Sequence, residues 1–291
     1  MSNLFDETRF ILKKYGISAN KSLGQNFLIK ENVVKTIIEK SEITKEDLVI
    51  EIGPGLGTLT KELLENAGKV IAIELDKRMI EILTDRFGLY DNFELINDDV
   101  LKVNLDAVIN SNLQTKKELK KAKIVANLPY YITTPIIMKL LENRLNIESI
   151  TVMIQKEVAD RLVAIPGRKN TGAITYSVYY YAKAEELLRV EKDSFIPEPA
   201  VESEIIKLEI RKEPPVEALD KDLMFKIIKY AFMQRRKTLV NSLEKSGIFK
   251  NKHQIIEILE KLNIDAKIRG EMLSLEDFKN IANEIKNLNR C

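Results

Sequence analysis

The sequence predicts an α/β protein, with an open wound sheet flanked by helices and a small all-helical domain at its C-terminal end. Two observations predict it. Between residues 48 and 210, short β-branched runs alternate with amphipathic stretches, the arrangement of strands joined by crossover helices. Past a Glu213-Pro214-Pro215 break, which neither a helix nor a central strand crosses readily, apolar residues recur only at three- and four-residue spacing. The 291 residues, 45% apolar and 31% charged, are enough to bury a core without cross-links. The expected domains are residues 1–212 and 213–291.

In chain order, residues 48–52, 70–75, 93–97, 124–126 and 150–154 read as strands, because they are short runs with apolar and β-branched residues. Residues 58–66, 77–87, 134–143 and 156–164 have helical spacing between them. Residues 185–190 and 204–210 read as closing strands around a Pro-containing loop. After the break, Ile227, Ile228, Ala231 and Phe232, then Ile255, Ile256, Leu259 and Leu262, mark the buried faces of helices. An open sheet of this kind binds ligands at the carboxyl ends of its strands, so the loops after each strand are where chemistry is expected.

Composition narrows that chemistry. One cysteine, Cys291, and one histidine, His253, exclude an internal disulfide, a Cys/His zinc cluster and a Cys-His couple. His253 follows Lys250, Asn251 and Lys252, with no nucleophile elbow beside it, so a Ser-His-Asp triad is not expected either. No metal site is expected. Neither a secretory leader nor a run of about 20 apolar residues is found, and the free cysteine suits a reducing compartment, so the expected location is the cytoplasm, away from membranes. The net charge of +2 argues neither for nor against a polyanionic partner.

The first expected strand runs into Glu51-Ile52-Gly53-Pro54-Gly55-Leu56-Gly57 and then a helix, where Gly53 and Gly55 let a ligand approach the main chain. Such a triplet alone also fits a tight strand-to-helix turn. Glu74, 21 residues after Gly53, ends the next strand at the position from which a carboxylate accepts from a ribose diol. Together they point to a nucleoside-containing cofactor. The glycines fall at every second residue, unlike the dinucleotide fingerprint, and Glu51 would repel a pyrophosphate while tolerating a cation. The pattern resembles motifs I and II of the class I, Rossmann-like methyltransferases, whose cofactor S-adenosyl-L-methionine carries a sulfonium and an amino group. Asp99, in Asp98-Asp99-Val100 after the third strand, offers an acceptor for an adenine amino group, or a local Asx turn. Residues 23–28, Leu-Gly-Gln-Asn-Phe-Leu, read on their own as a turn ahead of a helix.

After the fourth strand comes Asn127-Leu128-Pro129-Tyr130. An adenine amino group is a poor nucleophile because its lone pair is delocalised into the ring. The Asn127 side-chain oxygen and the Leu128 carbonyl could accept from its two N–H groups, Pro129 could direct the loop, and Tyr130 could stack on the base. No strong base is required, since the methylated nitrogen is acidic.

Gly24-Gln25-Asn26-Phe27-Leu28, Glu51 to Gly57, Glu74-Leu75-Asp76, Asn127 to Pro135, Phe195-Ile196-Pro197-Glu198-Pro199-Ala200-Val201 and Arg235-Arg236-Lys237-Thr238-Leu239 together resemble the ribosomal RNA adenine N6-dimethyltransferases over nearly the whole chain. The resemblance implies transfer of four methyl groups from S-adenosyl-L-methionine to N6 of two adjacent adenosines in a hairpin near the 3' end of 16S ribosomal RNA. The small ribosomal subunit or its precursor would be the partner and the enzyme a monomer. It implies cofactor contacts at Asn26, Leu28, Gly53, Gly55, Glu74, Asp99 and Asn127, with the N-terminal segment as a lid. It further implies a flipped adenine held between Tyr130 and Phe195, whose ring Pro197 and Pro199 would present, and an RNA-positioning role for the helical domain.

Residues 213–291 hold 15 basic and 12 acidic side chains, so that domain is mildly basic. Local clusters at Lys13 and Lys14, at 116–123, at Arg168 and Lys169, and at 235–237 would bind phosphate if they shared a face. Three alternatives remain open at this point. They are a large-subunit (23S) adenine dimethyltransferase of the antibiotic-resistance type, a non-catalytic ribosome-assembly protein, and a dehydrogenase; glycine spacing and Glu51 disfavour the last.

Overall fold

The computed structural model describes residues 3–20, 24–234 and 236–288. The chain divides into two compact units, Met1–Ala159 with Lys183–Ile210, and Asp160–Ala182 with Arg211–Cys291.

The first unit opens with α1 (Leu4–Lys14), whose Asn3 cap accepts from the Asp6 N–H. A short strand β1 (Phe27–Leu28) and α2 (Glu31–Lys40) precede the sheet. There follow β2 (Asp47–Ile52), α3 (Thr58–Asn66), β3 (Lys69–Glu74), α4 (Lys77–Phe87), β4 (Phe93–Asn97), α5 (Leu105–Thr115), β5 (Lys121–Asn127), α6 (Thr133–Glu142) and β6 (Ser149–Gln155). The chain crosses between the units within α7 (Lys156–Val163) and returns after α8 (Ala173–Tyr181). It ends the first unit with β7 (Ala182–Val190), β8 (Phe195–Ile196) and β9 (Ser203–Ile210).

Seven strands form one sheet in the order β4-β3-β2-β5-β6-β9-β7. Strands β2 to β6 pair parallel, and β9 runs antiparallel to β6, from Ser203 opposite Gln155 to Glu209 opposite Ser149. The winding reverses between β2 and β5, so both strands deliver their carboxyl ends to one crevice. Every residue of β2 and β3 is buried, as expected of parallel strands covered on both faces. Every strand and helix expected between 48 and 210 is present. The expected reading lacked α1, α5 and α8 and the two-residue β1 and β8, and it gave no bounds for α2. Helix α5 contains Asn110, Ser111 and Asn112, weak helix formers, and only Leu105 and Ile109 are buried along it, so its periodicity is faint.

The second unit is helical, with α8, α9 (Lys221–Met233), α10 (Leu239–Leu243), α11 (Lys252–Lys261) and α12 (Leu275–Leu288). Its extent differs from the expected 213–291, because residues 160–182 belong with it. The reason is aromatic: Tyr176 and Tyr180 sit in one core with Met224, Ile227, Leu259 and Phe278. The buried Tyr176 hydroxyl donates to the Leu273 carbonyl at 2.6 Å, its ring meets Phe278 edge-on, and burial pushes the phenol up to about 12. Among the described residues no helix is long and apolar enough to cross a membrane.

Candidate active site

A cleft of about 1160 Å³ lies at the carboxyl ends of β2, β3, β4 and β5. Asn26, Leu28, Gly53, Gly55, Glu74, Asp99, Asn127, Leu128, Pro129 and Tyr130, drawn from five separate stretches of the sequence, all line it. Leu23 and Arg235, from two of the motifs, and Cys291 lie outside the described residues.

The floor is the β2–α3 turn. Gly53 has φ +67, and a Cβ there would point toward Pro129 and the carbonyl of Asn127. Gly57 caps α3 at φ +80, where a Cβ would lie 2.3 Å from the Phe87 ring, so only glycine closes the turn. Glu74 pins this turn from the next strand: one carboxylate oxygen accepts from the Gly55 N–H at 3.2 Å and the other from the Asp76 N–H at 2.8 Å. Each oxygen keeps a second lone pair for a ligand hydroxyl. Burial raises the Glu74 pKa, and those main-chain donors oppose the rise.

Glu51 is more deeply placed than the sequence suggests. It is 1% exposed, and Thr60 Oγ1 donates to it at 2.6 Å. Burial pushes its carboxyl up to about 8, with the nearby Glu74 charge adding to the rise and Thr60 opposing it. The group expected to be a fixed negative charge is therefore mostly protonated at neutral pH in the protein alone. A cation beside it would favour the anionic form.

Asp99 makes a local turn at the edge of the cleft. Its Oδ1 accepts from the Leu101 N–H at 2.9 Å, an Asx turn, and the residue also lines the cleft. Lys139 on α6 holds this loop from outside, donating to the carbonyls of Val100, Leu101 and Val103 at 2.9, 2.7 and 2.9 Å. No sequence signal marks that lysine. Lys139→Met is expected to cost about 1–3 kcal/mol of stability and to loosen the Asp99 loop. Thermal denaturation checks the first effect, and a raised KM for the methyl donor the second.

The N-terminal segment packs over the glycine turn. The Phe27 ring lies 3.6 Å from where a Gly55 Cβ would be, and β1 pairs antiparallel with β8, Leu28 opposite Phe195. Gln25 Nε2 donates to Asp76 Oδ2 at 2.9 Å, tying the segment to the loop after β3. Asn127 Nδ2 points to the carbonyl of Asn26 at 3.4 Å, which turns the Asn127 Oδ1 acceptor the other way. Pro129 precedes α6, its carbonyl accepting from the Ile132 N–H and the Thr133 hydroxyl. The Tyr130 hydroxyl is paired with Ser203 Oγ at 2.5 Å.

Two expectations are changed by the structure. Phe195 does not line the cleft: it is 2% exposed in the hydrophobic core with Phe27, Leu28, Val190 and Ile205. The prolines at 197 and 199 were expected to present its ring, but pairing of β8 with β1 turns Phe195 inward. Tyr131, 56% exposed, supplies an aromatic surface on the cleft wall instead. The basic run at 116–123 leads into the amino end of β5, opposite the cleft, where Lys120, Lys121 and Lys123 pair with Glu46, Glu148 and Asp47.

Residues 16–286 match the family described as ribosomal RNA adenine dimethylase. A ribosomal RNA small subunit methyltransferase A from Alkaliphilus metalliredigens is 47% identical over 279 residues, 96% of each chain. A protein of the same name from Clostridioides difficile is 46% identical, over 96% of this chain and 94% of that one. Among solved structures, a dimethyladenosine transferase from Plasmodium falciparum superposes with a TM-score of 0.74 at 28% identity, covering 90% of this chain and 98% of that one. The 23S rRNA methyltransferase ErmE shares the fold, with a TM-score of 0.66 at 24% identity over 90% of this chain and all of that one. A family match over nearly the whole chain, together with a class I sheet whose cleft collects the Asn127–Tyr130 loop and the glycine turn, gives the conclusion that this chain belongs to the ribosomal RNA adenine dimethylase family.

Proposed function

We propose that this protein dimethylates N6 of two adjacent adenosines in the 3'-terminal hairpin of 16S ribosomal RNA, in the small ribosomal subunit or its precursor, using S-adenosyl-L-methionine. It would act in the cytoplasm as a monomer. The observation that carries the reading is the meeting of Asn127, Tyr130, Glu74 and the glycine turn in one cleft. The small-subunit assignment is supported by relatives 44–47% identical over at least 95% of this chain that bear the small-subunit name.

The residues fit the donor. The positive-φ turn at Gly53 and Gly55 opens main-chain atoms to it, Glu74 offers lone pairs for a ribose diol, Asp99 Oδ2 for an adenine amino group, and Glu51 a carboxyl that a cation would ionise. When bound, S-adenosyl-L-methionine supplies a methyl group bonded to an electron-poor sulfonium. Asn26 and Leu28 line the cleft from the N-terminal segment, where they would cover the bound donor and exclude water. Asn127 Oδ1 and the Leu128 carbonyl accept from the target amino group, directing its lone pair toward the methyl carbon, while Tyr130 supports the base by stacking. The nitrogen that has gained a methyl group is cationic and gives up a proton without a strong base. That agrees with a cleft that holds no histidine.

Glu51 gives the reaction a pH signature. A cation binds its anionic form more tightly, so donor affinity is expected to rise with pH up to about 8, by at most about tenfold per unit, and to level off above. Titration calorimetry in buffers of different ionisation enthalpy checks this: donor binding near pH 7 should release a proton, and Glu51→Gln should abolish the release. The sign for stability is opposite. The native state holds a proton that the unfolded chain releases from about 4.5 upward, so this group's contribution falls as pH rises toward 8.

The test of the proposal is incubation of the protein and labelled donor with unmethylated small and large ribosomal subunits. Label in the small-subunit RNA alone is the expected result. Label confined to large-subunit RNA would assign the resistance-type activity, and none in either would leave an assembly role.

A further inference from the structure

Ser203 is fully buried at the start of β9, hydrogen-bonded into the sheet opposite Gln155 of β6. It lies two strands away from β5, whose end carries the Asn127–Tyr130 loop, and it does not line the cleft. Yet its hydroxyl is 2.5 Å from that of Tyr130, which does. A tyrosine that only stacks has no use for its hydroxyl, and a phenylalanine would present the same face. Here the hydroxyl is anchored to a buried strand that lies between β6 and β7 in the sheet.

We propose that Ser203 is a positioning residue: its hydroxyl holds the far end of the Tyr130 ring in one place, so that the incoming base meets the ring at a preset position. This rests on the stacking role of Tyr130 given above. A ring held at both its Cβ and its hydroxyl has its long axis fixed, so it has little swing about its Cα–Cβ bond left to lose when the base arrives, which favours the reacting geometry over looser seating. Ser203 touches neither base nor donor. Its effect passes through one hydrogen bond, in which either oxygen can donate.

The test is a double-mutant cycle with steady-state kinetics on small-subunit particles. Ser203→Ala and Tyr130→Phe each remove the same bond, one from each side, and each is expected to lower kcat/KM for the RNA by about 5–10-fold. The double variant should be no worse than the weaker single, because there is only one bond to lose. Donor affinity, measured by equilibrium binding, should stay within about twofold of the unaltered protein. Multiplicative losses in the double variant, an equal fall in donor affinity, or a folded Ser203→Ala with full activity would each overturn the proposal. Tyr130→Ala separates this from the reading beneath it. Full activity there would remove the stacking role itself, whereas an inactive Tyr130→Ala beside a fully active Ser203→Ala would remove only the role of Ser203.

Discussion

Asn127→Ala is expected to lower turnover by about 10²- to 10³-fold, the scale found when one preorganised hydrogen-bonding group aimed at the reacting centre is removed. The reason is geometric. Asn127 ends β5 opposite Met153 of β6, and the Leu128 N–H is held by the Met153 carbonyl at 3.1 Å, so the backbone at the acceptor pair cannot drift. The carbonyl of Asn26 takes the amide nitrogen, leaving Oδ1 for the substrate. Alanine removes that acceptor while leaving the glycine turn, Glu74 and the Asp99 loop as they are. The loss should therefore fall mainly on kcat, and single-turnover kinetics at saturating donor is the check. Asn127→Asp should not restore activity: its carboxylate would face the Asn26 carbonyl with no N–H to donate.

The second large effect belongs to Glu74. Glu74→Ala deletes the acceptor for the donor's ribose and also releases the Gly55 and Asp76 N–H groups that it now holds. Hydrogen bonds to a charged group contribute about 1.5–3 kcal/mol each, so donor affinity should fall by about 10- to 100-fold or more. Glu74→Gln separates the two roles. It keeps one acceptor oxygen and similar volume, so it should hold the turn better than alanine does and lose less affinity. Equilibrium binding of the donor to both variants measures the difference, and equal losses would show that Glu74 contributes by charge alone.

Much of the fold was legible because a parallel sheet buried on both faces writes itself as apolar runs, as in Val70 to Ile73. The cleft residues were legible for a different reason: strand ends, glycines and carboxylates occur together at fixed spacings when a nucleoside must be held. Interactions that pass between distant segments were not. Nothing near Lys139 in sequence points to the carbonyls of Val100 to Val103, 36 to 39 residues away. Likewise nothing near Ser203 points to Tyr130, 73 residues away. Phe195 shows the converse: two prolines read locally as a presented ring, while β1, 167 residues earlier, pairs with β8 and leaves that ring in the core. The raised pKa of Glu51 was not legible, because burial depth, which shifts it, is a property of the folded neighbourhood.

The chemistry proposed for this cleft, built from acceptors and an aromatic ring, is the double methylation of an adenine amino group. Mass spectrometry of nucleosides from small-subunit RNA, after reaction with the protein and S-adenosyl-L-methionine, tests it most directly. The result expected is N6,N6-dimethyladenosine at two adjacent positions of the 3'-terminal hairpin, absent with Asn127→Ala. Methylation at a ring nitrogen, a ribose or another base, or an undiminished yield from Asn127→Ala, would contradict it.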